Sequence, residues 1–182
     1  MTVEDGAVGR DTAMARVMVV GCAGSGKSEA SRRLARITGL PLIHLDAHFW
    51  KPGWTQPDRG DWEQTVDDLA AQPRWIMDGN YSRTLSRRLA RADTLIHLDF
   101  STLLCTWRVL KRTWGLGGAR ANELPAGCSE RFDWSFLWYV ITYRRRQRSQ
   151  DMARMASFTG TVYRFSRPRQ LEAFLSRVAL DH

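Results

Sequence analysis

Eight residues, GCAGSGKS from Gly21 to Ser28, have the types and the spacing to hold a polyphosphate. They fit the pattern G-x-x-x-x-G-K-[ST]. The glycines let the backbone curl until successive amides point at phosphate oxygens. A helix starting near Lys27 would add the positive end of its dipole. Lys27 is expected to reach the β- and γ-phosphates, and the Ser28 hydroxyl to ligate Mg²⁺. Gly21, Ala23, Gly24, Ser25, Gly26, Lys27, Ser28 and Glu29 are therefore expected around the phosphates of ATP. Such a loop does not by itself separate a kinase from an ATPase or a nucleotide switch.

Four other stretches carry groups that could. HLDAHFWKPGW, His44 to Trp54, sets Asp46 and His48 beside Trp50 and Trp54. A carboxylate in such a place can orient and deprotonate a hydroxyl. The tryptophans could stack on a sugar face or a base, or pack a core corner. His44 and His97 read as core residues. RWIMDGNYSRT, Arg74 to Thr84, ends a strand on Asp78, where a carboxylate can hold a Mg²⁺-bound water. Arg108 and Arg112 stand four apart, on one helix face. Arg144, Arg145, Arg146 and Arg148 crowd a second helix. Like charges this close repel unless an anion sits among them.

These groups need a scaffold, and the pattern supplies one. Short apolar runs at Arg16–Gly21, Pro41–Asp46, Arg74–Asp78, Thr94–Asp99 and Thr161–Phe165 read as strands. Helical patterns lie between and after them: 27–38, 62–71, 82–90, 101–114, 133–157 and 167–180. In the 101–114 helix the apolar stripe is Leu103, Trp107, Leu110 and Trp114. Continuously apolar strands alternating with helices predict an α/β fold, a parallel sheet covered on both faces. Residues 1–14 read as a disordered tail and 15–182 as a single domain, with an acceptor-binding segment at about 46–73.

Composition narrows the partners. The net charge of +8 and a pI of about 10.1 favour anionic ligands. A nucleic-acid partner is compatible with that charge. It is disfavoured because no helix-turn-helix, zinc finger or basic tail is evident. No apolar run approaches the roughly 20 residues of a membrane span. The three cysteines form no CxxC pair, which fits a reducing cytoplasm. A monomer or homodimer is expected.

On these motifs, spanning about residues 16 to 180, the chain resembles the phosphate-loop kinases of the adenylate-kinase-like superfamily. DGNYSR at Asp78 to Arg83 is similar to the Asp-Gly-Phe-Pro-Arg segment of nucleoside monophosphate kinases. More closely, it resembles the bacterial group labelled "adenylate kinase or related kinase" and "DNA topology modulation protein". Its traits are an Asp…Trp loop after strand two, Asp-Gly-Asn-Tyr after strand three and a Val-Tyr-Arg-Phe strand near the end.

The resemblance implies a three-layer α/β/α fold with strand order 2-3-1-4-5 and a helical lid at about 115–148. It implies ATP and Mg²⁺ as cofactors. Arg108 would pack on the adenine and Arg112 contact phosphates, and Arg167 would lie in the adenine loop. Arg144 and Arg148, or Arg145, would close with the lid. Gly79, Tyr81 and Arg83 would face the acceptor with Asp46, His48, Trp50, Trp54 and Asp78. Kinases of shikimate and gluconate carry an acid where Asp46 stands. The implied activity is transfer of the γ-phosphoryl group to a small acceptor, either a nucleotide or a hydroxylated metabolite. A nucleotide-binding regulator of DNA and an acceptor-independent ATPase remain the alternatives.

Overall fold

A computed structural model of the chain describes residues 14–112, 114 and 134–181. Five strands, β1 (Arg16–Gly21), β2 (Leu42–His44), β3 (Trp75–Asp78), β4 (Thr94–Leu98) and β5 (Thr161–Phe165), form one parallel sheet in the order β2-β3-β1-β4-β5. The helices are α1 (Lys27–Thr38), α2 (Leu45–Phe49), α3 (Arg59–Ala70), α4 (Leu85–Leu89), α5 (Thr102–Lys111), α6 (Trp134–Arg146), α7 (Arg148–Met155) and α8 (Pro168–Asp181). This is the expected three-layer α/β/α fold with strand order 2-3-1-4-5.

Strand periodicity explains the layers. Alternate side chains point to opposite faces of a sheet, so a central strand feeds two cores. Val17 and Val19 of β1 join Ile76, Ile96 and Leu98 under α1, α5, α6 and α8. Met18 and Val20 join Trp75, Met77 and Leu95 under α3, α4 and α7. A run with no polar position is what burial on both faces requires.

Several boundaries differ from the sequence expectation. The second strand stops at His44 and the chain turns at once into α2, so Asp46 sits on a short helix and not at a strand end. The expected 133–157 helix divides into α6 and α7 at Gln147. Gln147 donates to Ser82 Oγ (3.0 Å) and Asp151 Oδ1 (3.3 Å), which ties the break to the loop after β3. Three of the four residues of the apolar stripe expected over 101–114 face outward: Leu103, Trp107 and Trp114 are exposed, Leu110 is half-buried against the core, and Cys105 and Val109 are buried. Small side chains face inward there because the backbone of Cys105 lies against Gly24. Of the expected tail, only Met14 is described, and it packs on the core. Residues 115–133 of the expected lid lie outside the described residues.

Candidate active site at the carboxyl edge of the sheet

The phosphate loop leaves β1 at Gly21. Gly24 (φ 81°) and Gly26 (φ 89°) take left-handed backbone that other residues resist. Gly24 is also sterically fixed, since a Cβ there would lie 2.3 Å from Cys105 O. Lys27 Nζ donates to the carbonyls of Gly21 (2.9 Å) and Cys22 (3.1 Å), so its charge is held over the loop. Ser28 lies in the first turn of α1 and is half-buried. Glu29 instead points outward and pairs with Arg32 at 2.8 Å.

Positive charge converges on the same place. Arg108 donates to Ser25 O at 3.1 Å and lies over the Phe100 ring, 5.8 Å from its centroid. Interaction with the Cys22 thiol holds the Cys105 pKa below its ordinary value. Burial opposes that shift, and Lys27, Arg108 and Arg144 add to it. One thiol thus feels all three cations. Arg112 is half-buried at the end of α5.

Asp78 ends β3, in register with Val19 on one side and His44 on the other. His44 is no inert core residue: its Nδ1 lies 2.9 Å from Asp78 Oδ1. Asp78 Oδ2 is buried without a hydrogen-bond partner among the described residues. An orphaned carboxylate oxygen is costly to bury. A hydrated divalent cation would satisfy it, so Asp78 fits Mg²⁺ held through water.

The next three residues join this region to the opposite wall. Asn80 Oδ1 accepts from Gly21 N at 2.9 Å. The Tyr81 phenol donates to Asp46 Oδ1 at 2.7 Å. Burial, and then the charge of Asp46, push the Tyr81 pKa far up, which keeps it a donor. Phe49, Trp62 and Tyr81 pack mutually, with ring centroids 4.7–5.0 Å apart. Trp50 stacks edge-on against Phe49 (4.9 Å) and against Trp54 (5.3 Å). Asp46, Tyr81, Trp50 and Trp54 therefore belong to one continuous wall. His48 is exposed nearby. Gly79 (φ 128°) is fixed by Leu45, whose Cβ would stand 3.0 Å from an added Cβ.

One arginine is engaged elsewhere. Arg148, expected in the lid, forms a two-pronged pair with Asp99 (2.8 and 2.7 Å), which Arg164 also grips. Although burial opposes it, the two guanidinium hydrogen bonds hold the Asp99 pKa well below the carboxylate range. Arg148 is spent on fastening α7 to the end of β4. Arg144, Arg145 and Arg146 are exposed at the end of α6, as are Arg83 and, before α8, Arg167.

Arg88 was missed. It is fully buried on α4 and donates to the carbonyls of Gly79, Asn80 and Tyr81. The signal was present in Leu85-Ser-Arg-Arg-Leu89, where Arg88 occupies a helical position on the apolar face. A charge there demands partners. Asn80 gave no signal, because its partner is a backbone amide 59 residues away.

No protein-family model matches the sequence, and no curated protein does. Solved structures match across nearly the whole chain. A shikimate kinase from Acinetobacter baumannii, in complex with shikimate, aligns with TM-score 0.62 at 11% identity, covering 91% of each chain. A shikimate kinase from Bacteroides thetaiotaomicron aligns with TM-score 0.51 at 16% identity over 91% of this chain and 96% of that one. A putative kinase from Chloroflexus aurantiacus gives TM-score 0.53 at 19% identity, over 92% of this chain and 97% of its own. At such identities the likeness is one of fold. Among the described residues no helix is long and apolar enough to cross a membrane.

Proposed function

We propose that the chain is an ATP- and Mg²⁺-dependent phosphotransferase that moves the γ-phosphoryl group to a hydroxyl of a small metabolite. The observation that carries this reading is the Tyr81–Asp46 hydrogen bond on an aromatic wall tied, through Asn80, to the start of the phosphate loop. The fold shared with shikimate kinases supports it. The hydrogen-bonded pair on that wall is an acid and a phenol, which suits a hydroxyl acceptor.

Bound Mg²⁺ would neutralise charge on the phosphates and supply Lewis acidity at the transferring group. Ser28, and Asp78 through water, would hold it. Lys27 and the loop amides grip the phosphates, while Arg108 and Arg144 add positive potential. Asp46 orients the acceptor hydroxyl and takes its proton. Tyr81 fixes the carboxylate in place, and Trp50 and Trp54 offer apolar faces to the acceptor's ring or chain.

ADP formation, followed for the chain alone and with hydroxy acids, cyclic polyols, sugars and nucleoside monophosphates, tests the reading. A hydroxylated metabolite is expected to raise ADP release at least tenfold over the chain alone. Stimulation by nucleoside monophosphates only, or by nothing, would contradict it.

A further inference from the structure

We propose that Arg88 is a positioning residue that sets the spacing between the phosphate loop and the acceptor wall. The proposal rests on the kinase reading only for what the wall receives.

Arg88 has 0% of its surface exposed. Burial pushes its pKa down to about 10, so the guanidinium remains charged at neutral pH. A charge buried this deeply must be matched by acceptors. The match is unusual: three consecutive carbonyls, of Gly79, Asn80 and Tyr81, turn toward one guanidinium. An extended strand alternates its carbonyls and cannot do this. The chain manages it with positive φ at Gly79 (128°) and at Tyr81 (34°), the latter a conformation a tyrosine rarely adopts.

The held segment has two working ends. Asn80 reaches back to Gly21 N, the first amide of the phosphate loop. Tyr81 reaches forward to Asp46. A single side chain that touches neither ATP nor acceptor therefore aligns both. Arginine suits the task because its planar fork spreads five donors over a wider span than lysine's compact ammonium. Without it the Gly79 and Asn80 carbonyls would lose this donor, Tyr81 O would keep only Thr84, and the segment would relax toward ordinary φ.

The test separates alignment from bulk stability. Arg88→Met keeps the length and removes the donors, Arg88→Lys keeps the charge, Asn80→Ala cuts one arm and Tyr81→Phe the other. Amide hydrogen exchange and calorimetric binding of ATP·Mg²⁺ are read on each, and neither needs an acceptor. Arg88→Met should speed exchange at Gly21 at least tenfold and weaken ATP·Mg²⁺ binding at least tenfold, while Val17 to Val20 stay protected. Arg88→Lys should recover part of both. Asn80→Ala should reproduce the ATP effect, and Tyr81→Phe should change turnover rather than ATP affinity.

Wild-type Gly21 exchange and wild-type ATP affinity in folded Arg88→Met would overturn the proposal. If Arg88→Met does not fold, Arg88→Lys and Asn80→Ala decide, and wild-type ATP affinity in both would overturn it equally. If no acceptor is ever phosphorylated while these ATP effects appear, the kinase reading fails and the alignment role stands.

Discussion

Gly24 concentrates two demands in one residue. Its φ of 81° lies in the left-handed region, and an added Cβ would meet Cys105 O at 2.3 Å and Val109 Cγ2 at 2.9 Å. Gly24→Ala should cost about 1 kcal/mol in backbone strain and about 1–3 kcal/mol in overpacking. Thermal melting should show the loss, and ATP·Mg²⁺ affinity should fall with it because α5 must move away from the loop. An unchanged melting temperature would mean that the loop and α5 yield easily. The phosphate loop was legible because its geometry is written in local residue types: glycine for φ, lysine for charge, serine for a metal. Arg88 and Asn80 were not, because their partners are backbone groups that only the folded chain brings near. His44 was misread for the same reason: its partner Asp78 arrives through strand register.

Elements were legible where hydrophobic period decided them, and less so where polar contacts did. The five strands fall within two residues of their expected bounds. The division between α6 and α7 is invisible in the period because side-chain bonds make it. Arg148 leaves the helix line to pair with Asp99, and Asp151 accepts from Ser82 (2.7 Å) and Tyr143 (3.1 Å). Asp99 is thus a clamp between β4, β5 and α7. Asp99→Ala should destabilise the chain by about 2 kcal/mol. That is less than the about 3–5 kcal/mol for breaking a fully buried pair, because Arg148 and Arg164 are partly exposed and can turn to water. Denaturant unfolding reads it directly, and a loss below about 0.5 kcal/mol would make the clamp ornamental. ATP affinity should change little, since neither arginine lies at the phosphate loop.

At the scale of the whole molecule, the parallel order β2-β3-β1-β4-β5 brings the phosphate loop after β1, α2 after β2 and Asp78 at the end of β3 to one edge of the sheet. That topology was legible from strand–helix alternation together with the resemblance carried by the motifs. The buried centre also sets a pH response. His97, within β4, has its pKa pushed down to about 4 by burial; Asp99 opposes the shift, and Arg164 and Arg148 reinforce it. The folded chain then binds this proton less readily than the unfolded chain, whose histidine titrates near 6.5. Above that pH both forms are neutral and His97 contributes nothing. As pH falls from about 6.5 to 4, stability should drop by up to about 3 kcal/mol. His97→Gln should flatten that slope in unfolding curves taken at pH 7, 5.5 and 4.5. An unchanged slope would show that His97 takes up its proton as readily in the fold as in the unfolded chain.

The most direct measurement is transfer of the labelled γ-phosphoryl group from ATP to the best hydroxylated acceptor, comparing the wild type with Asp46→Asn and measuring ATP·Mg²⁺ binding alongside. The account predicts label in a phosphate ester, a kcat at least about a hundredfold lower in Asp46→Asn, and an ATP affinity within about twofold of the wild type. Label released only as inorganic phosphate, or equal transfer by Asp46→Asn, would contradict it.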